Sequence, residues 1–149
     1  MATTIGLQET TRNHLEQIKR ALGVPSLDAT VAALIVEHEA RRTKGESARL
    51  LLSVFGKRAE LARFATRHGI RRIAVFGSAL HGDARPDSDL DLLVTFAPSR
   101  TPGLIALSAL ERKLSALLAV KVDVQTLGSF REPLRSRILT EAVSVHDAT

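Results

Sequence analysis

Asp89 and Asp91 flank one leucine in the run Ser88-Asp89-Leu90-Asp91-Leu92-Leu93-Val94. On a strand, side chains alternate between faces, so both aspartates point one way and Leu90 and Leu92 the other. Aspartate is a poor strand former, and like charges about 7 Å apart on one face repel. Upstream, an apolar run ends in Val75-Phe76-Gly77-Ser78, and residues 79–88 form a polar connection to the aspartates. Glycine lets the backbone approach a phosphate closely, and the amides that follow it, with the serine hydroxyl, can donate to that phosphate. Paired carboxylates beside such a turn suit a magnesium-bound nucleoside triphosphate.

A third carboxylate fits the same chemistry. Asp123 lies between two valines in Val122-Asp123-Val124-Gln125. If its strand neighbours the Asp89 strand, it can bind a second metal and help deprotonate an attacking hydroxyl. In-line displacement at phosphorus needs mainly positioning and charge neutralisation, and this set supplies both.

The rest of the chain must position these groups. Its 149 residues allow one domain, or a small domain with a medium one, and 44% are hydrophobic, enough for a core. No apolar run is long enough to span a membrane and no signal-peptide pattern opens the chain, so a cytoplasmic protein is expected. There is no cysteine, which excludes disulfides, zinc–thiolate sites and thiol nucleophiles. The net charge of +5 favours an anionic partner, while 3% aromatic residues argue against base-stacking platforms.

Residues 1–45 and 46–149 read as separate units. The first holds a short alternating segment, Thr3 to Gln8, and two helices over about Glu9–Leu22 and from Ser26 to about Arg42. Leu15, Ile18 and Leu22 form an apolar stripe on the first helix. Ser26 is placed to cap the second, and Thr43-Lys44-Gly45 reads as a hinge. The second unit opens with a helix over about Glu46–Arg67, interrupted at Gly56. Strands are expected at Ile70–Phe76, Asp89–Phe96 and Lys121–Thr126, with helices at about Gly103–Leu118 and Glu132–Ala142. This order implies an α/β (α+β) fold, a small mixed sheet flanked by helices.

These residues carry a resemblance. Gly77-Ser78, the connection through Arg85 to Asp89-Leu90-Asp91-Leu92, and the later Val122-Asp123-Val124 resemble the nucleotidyltransferase fold of the DNA polymerase beta superfamily, and within it the minimal nucleotidyltransferases. The resemblance covers about residues 60–145. It implies catalytic and metal-binding roles for Asp89, Asp91 and Asp123, and phosphate contacts from Gly77 and Ser78. Relatives often carry arginine soon after the Gly-Ser pair, where this chain has Ala79, Leu80 and His81, so the cationic contact passes to Arg85. It further implies Mg2+, ATP as substrate, and an antitoxin that pairs with an HEPN-type toxin and transfers AMP to it.

The first unit resembles a ribbon-helix-helix DNA-binding domain, a β-α-α unit, through Thr3-Thr4-Ile5-Gly6-Leu7-Gln8 and the Gly23-Val24-Pro25-Ser26 turn. Such a ribbon takes one strand from each of two chains, which implies a homodimer. Thr4, Gly6 and Gln8 would then face operator DNA, and Ser26, at a helix start, would hold a phosphate.

Plainer readings stand beside these. Asp89 and Asp91 can be solvated charges on an edge strand, Asp123 a surface charge, His81 a loop histidine, and residues 1–45 a dimerisation arm. In function, the alternative to a protein adenylyltransferase-like enzyme is a DNA-binding transcriptional regulator or antitoxin whose transferase-like domain acts only by binding its partner.

Overall fold

The computed structural model describes residues 6–148. The described residues divide after Arg41 into two compact units. In the first, α1 (Glu9–Leu22) ends at Gly23, which adopts the left-handed conformation (φ 65°) and returns its amide to Arg20 O. Ser26 then caps α2 (Leu27–Phe55), its hydroxyl accepting from the Ala29 amide at 3.1 Å, as the sequence implies for a helix start. No residue of α1 is buried: in its stripe Leu15 and Ile18 are half-buried and Leu22 is exposed.

The expected hinge at Thr43-Lys44-Gly45 is absent, because α2 passes through it without a break. A Cβ at Gly45 would touch nothing, so this glycine serves no turn. One helical glycine costs about 1 kcal/mol, and helix-forming neighbours, including Arg41, Arg42, Lys44, Glu46 and Ala48, offset it. The break falls at Gly56 instead, where a Cβ would lie 2.8 Å from Leu52 O; Gly56 and Lys57 turn the chain into α3 (Arg58–His68).

The second unit is built on β1 (Ile70–Phe76), β2 (Leu90–Phe96), β3 (Val122–Gln125) and β4 (Val143–Asp147), in the order β3-β2-β1-β4. Pairing is antiparallel for β1 with β2 and with β4, and parallel for β2 with β3. The helices of this unit are the C-terminal part of α2, α3, the one-turn α4 (Ser78–His81), α5 (Leu104–Leu118) and α6 (Leu134–Glu141). The first three strands lie within a residue of their expected bounds. β4 was not anticipated: it follows α6 directly and buries only Val145.

The sheet's two faces are covered unequally. On one, Ile73, Val75, Leu90, Leu92, Val94, Val122 and Val124 join Leu50, Val54, Leu61, Ala65, Leu114 and Leu118 in the main core. On the other, Ala74 and Leu93 pack with Ile138 in a small cluster that Phe76 and Phe130 border. By alternation, Asp91 and Asp123 belong to this thinly covered face.

The polar connection between β1 and β2 is tied to α2. The buried Ser47 hydroxyl accepts from the amide of buried Ala84 at 3.1 Å. Ser47→Ala leaves that amide unpaired and is expected to lower unfolding free energy by about 1–3 kcal/mol in chemical denaturation.

Candidate active site

The β1–β2 hairpin brings the two ends of the motif together. Phe76 pairs with Asp91 across the strands, so Gly77 emerges beside the Asp91 carboxylate. Gly77 has φ 79° and ψ −152°, a backbone conformation that L side chains rarely adopt, and any Cβ there would collide with Asp91 Oδ2. Glycine is thus required twice over. Ser78 opens α4 immediately after it. Arg85 and Ser88 close the connection, the Arg85 amide donating to Ser88 Oγ at 2.8 Å and the Ser88 amide to Arg85 O at 2.9 Å. The Arg85 residue is exposed there.

Parallel pairing of β2 with β3 sets Asp91 directly opposite Asp123. Asp89 lies just outside β2, on the residue before it. The structure therefore assembles Gly77, Asp91 and Asp123 in a row across β1, β2 and β3, with Asp89 at the mouth. Burial pushes the Asp91 carboxyl up to about 6, and the charges of Asp123 and Asp89 push it in the same direction.

The neighbouring carboxylates have partners that the sequence analysis missed. Lys121 Nζ lies 3.3 Å from Asp89 Oδ2. Gln125 Nε2 donates to both oxygens of Asp123 at 3.1 Å. Gln125 was within reach of the strand rule, two residues beyond Asp123 on the same face. Lys121 and Ser47 carry no comparable local signal. His81 pairs with Glu141 at 3.2 Å, joining α4 to α6 as a surface histidine. Between them a cleft of about 280 Å³ opens, lined by Phe76, Gly77, Ser78, Phe130 and Arg137 among others.

Among the described residues, no three side chains are gathered in a ready metal-holding cluster. The donor chemistry nevertheless suits a hard divalent cation: three carboxylates on or beside two adjacent strands, with burial and the neighbouring charges raising the Asp91 pKa. Asp89 and Asp123 would exchange Lys121 and Gln125 for it.

The residues assigned to DNA are not gathered comparably. Thr4 lies outside the described residues. Gly6 and Gln8 are exposed and belong to neither helix nor strand, and Ser26 Oγ serves its own helix. No single helix among the described residues is long and apolar enough to cross a membrane.

The sequence profile described as "Nucleotidyltransferase domain" matches residues 59–146, the segment from α3 to β4. Protein adenylyltransferase MntA of Thermococcus cleftensis is 40% identical over 79 residues, which cover 53% of this chain and 78% of that protein. A solved minimal nucleotidyltransferase shares 41% identity at a TM-score of 0.50, over 59% of this chain and 88% of that one. A chain from a crystal structure of a toxin-antitoxin with AMP-PNP shares 25% identity at a TM-score of 0.51, over 60% of this chain and 73% of that chain. The matched profile leaves α1 and α2 outside it.

The raised Asp91 pKa has a thermodynamic consequence. Its value in the fold, about 6, exceeds the ordinary 3.8, so between these values the folded state binds more protons than the unfolded state. Stability from this group is complete below 3.8 and is lost as pH rises through 6. In chelator, Asp91→Asn should therefore raise the melting temperature near neutral pH. A half-buried group realises part of the shift, so a gain of about 2–6 °C is expected. Scanning calorimetry should show the gain shrinking toward zero at pH 4.

Proposed function

The chain belongs to the nucleotidyltransferase domain family, and from that premise we propose that it transfers AMP from ATP to a hydroxyl of a partner protein, as the antitoxin of a toxin–antitoxin pair whose toxin is of the HEPN type. The observation that carries this reading is the row Gly77, Asp91, Asp123 across three adjacent strands. It provides a phosphate-holding turn on one side of a central carboxylate and a proton-accepting group on the other.

The chemistry follows from that order. The acceptor oxygen attacks the α-phosphorus, the bond from that phosphorus to the bridging oxygen breaks, and pyrophosphate leaves. The Gly77-Ser78 turn holds phosphate oxygens through amides and the Ser78 hydroxyl. Asp123 receives the proton of the attacking hydroxyl, and Gln125 orients its carboxylate. Asp89, Asp91 and Asp123 would hold Mg2+, which when bound neutralises charge on the phosphates. The cleft beside α4 and α6 leaves room for the nucleoside, with Phe76 and Phe130 as its apolar wall. β3 is an edge strand, so a macromolecular acceptor can approach Asp123 from outside the sheet. Arg85 is exposed near the turn and available to a triphosphate.

Calorimetry with ATP and magnesium should show binding to the wild type and none to Asp89→Ala/Asp91→Ala. Labelled ATP should mark the partner protein, and Asp123→Asn should reduce the labelling rate by about 100-fold or more. Undiminished labelling would remove Asp123 from the mechanism.

A second reading concerns residues 1–45. The half-covered α1 stripe, with exposed Leu22 at its end and exposed Ile35 and Val36 on α2, supports a dimerisation surface, with or without operator DNA. Leu15→Glu/Ile18→Glu in the full chain should convert a dimer to a monomer in analytical ultracentrifugation. A species distribution identical to wild type would count against the reading.

A further inference from the structure

The opposite end of the β1–β2 hairpin carries a second cleft, of about 250 Å³. It lies where Ile70 faces Phe96, at the far end of these strands from the Phe76–Asp91 pair. Its lining includes His68, Arg100 and Lys113 and no carboxylate. Its apolar floor includes Phe96 and Leu110, both buried.

The basic groups are placed by the fold. Ala97 donates to Gly69 O at 3.0 Å, and Arg100 to Ala97 O at 3.0 Å, which brings the Arg100 side chain across Gly69. A Cβ on Gly69 would meet Arg100 Cδ at 3.1 Å, and Gly69 also takes φ 67° to end α3. Neither Arg100 nor Lys113 forms an ion pair among the described residues. His68 is held below the ordinary histidine range by burial and by the charges of Lys113 and Arg67.

Beside this cleft, Leu104 and Ile105 open α5 with relative exposures of 84% and 89%. They fall between Pro102 and Ala106, both of which line the cleft. One exposed aliphatic is ordinary, but two adjacent ones bordering an unpaired basic cleft combine apolar area with charge of one sign. That combination is complementary to a surface of opposite charge that also has aliphatic groups to bury.

We propose that this face docks an acidic, leucine-bearing segment of a partner protein, its carboxylates over Arg100 and Lys113 and its aliphatic side chains against Leu104 and Ile105. A nucleic-acid backbone would meet the charge but leave both aliphatics in water, and Phe96 is too buried to stack on a base. The face lies apart from the aspartates, so docking here and transfer there are separable, and the proposal does not depend on the transfer reading.

The test is an amide-resolved NMR titration of the full chain with a short peptide of alternating glutamate and leucine. Matched peptides carry glutamine for glutamate or serine for leucine, and oligouridylate serves as the nucleic-acid arm. Shifts should concentrate at Leu104, Ile105 and Lys113 with the first peptide and fall away with the other two. Arg100→Glu/Lys113→Glu should weaken binding by at least about tenfold, and so should Leu104→Ser/Ile105→Ser. Absence of shifts at these residues, equal affinity in either double variant, or tighter binding of oligouridylate lost in the charge variant would each overturn the proposal.

Discussion

The close approach of the Gly77 backbone to the Asp91 carboxylate is the constraint on which the site depends. A carboxylate half removed from water and flanked by two others sits where ionisation is harder than in solvent. It stays there because β1 and β2 are locked in a register that sets Phe76 against Asp91, and because Gly77 has no side chain to push it away. Local instability of this kind needs support from the surrounding structure, and a short hairpin alone would not provide it.

The support comes from the opposite face of the sheet. Ile70, Ile73 and Val75 of β1 and every second residue of β2 and β3 enter the main core, against α2, α3 and α5. Their alternates, Phe76, Asp91 and Asp123 among them, face the side that α6 covers only in part. A sheet buried deeply on one face and thinly on the other can spend well-packed strands on charged side chains without flooding the core. β3, which carries Asp123, lies at the edge of the same sheet.

The family-matched segment does not hold its own site loop unaided. Ser47, on a helix outside that segment, accepts the Ala84 amide, and Lys57 Nζ, just before it, donates to Leu117 O at the end of α5 at 2.6 Å. The C-terminal part of α2 and the turn after it are thus built into the nucleotidyltransferase unit through buried or half-buried hydrogen bonds. At the other end of the strands, the Gly69 turn positions Arg100 with similar economy.

By itself the sequence determined the elements whose information is local. Strand alternation and glycine placement made Gly77, Ser78, Asp89, Asp91 and Asp123 legible, with the strands that carry them, because period two and a turn are properties of a few adjacent residues. The resemblance drawn from those residues matched the family that the chain belongs to. The tertiary structure decided what depends on distant partners. It ran α2 through the anticipated hinge at Gly45, since one glycine is a small penalty against a long helical context. It added β4, a strand whose five residues bury only Val145 and gain their ladder from β1. It also gave Asp89 to Lys121, Asp123 to Gln125 and Ala84 to Ser47, and lifted the Asp91 pKa. Burial and charge proximity are set by how strands and helices pack, and no spacing rule along the chain encodes them.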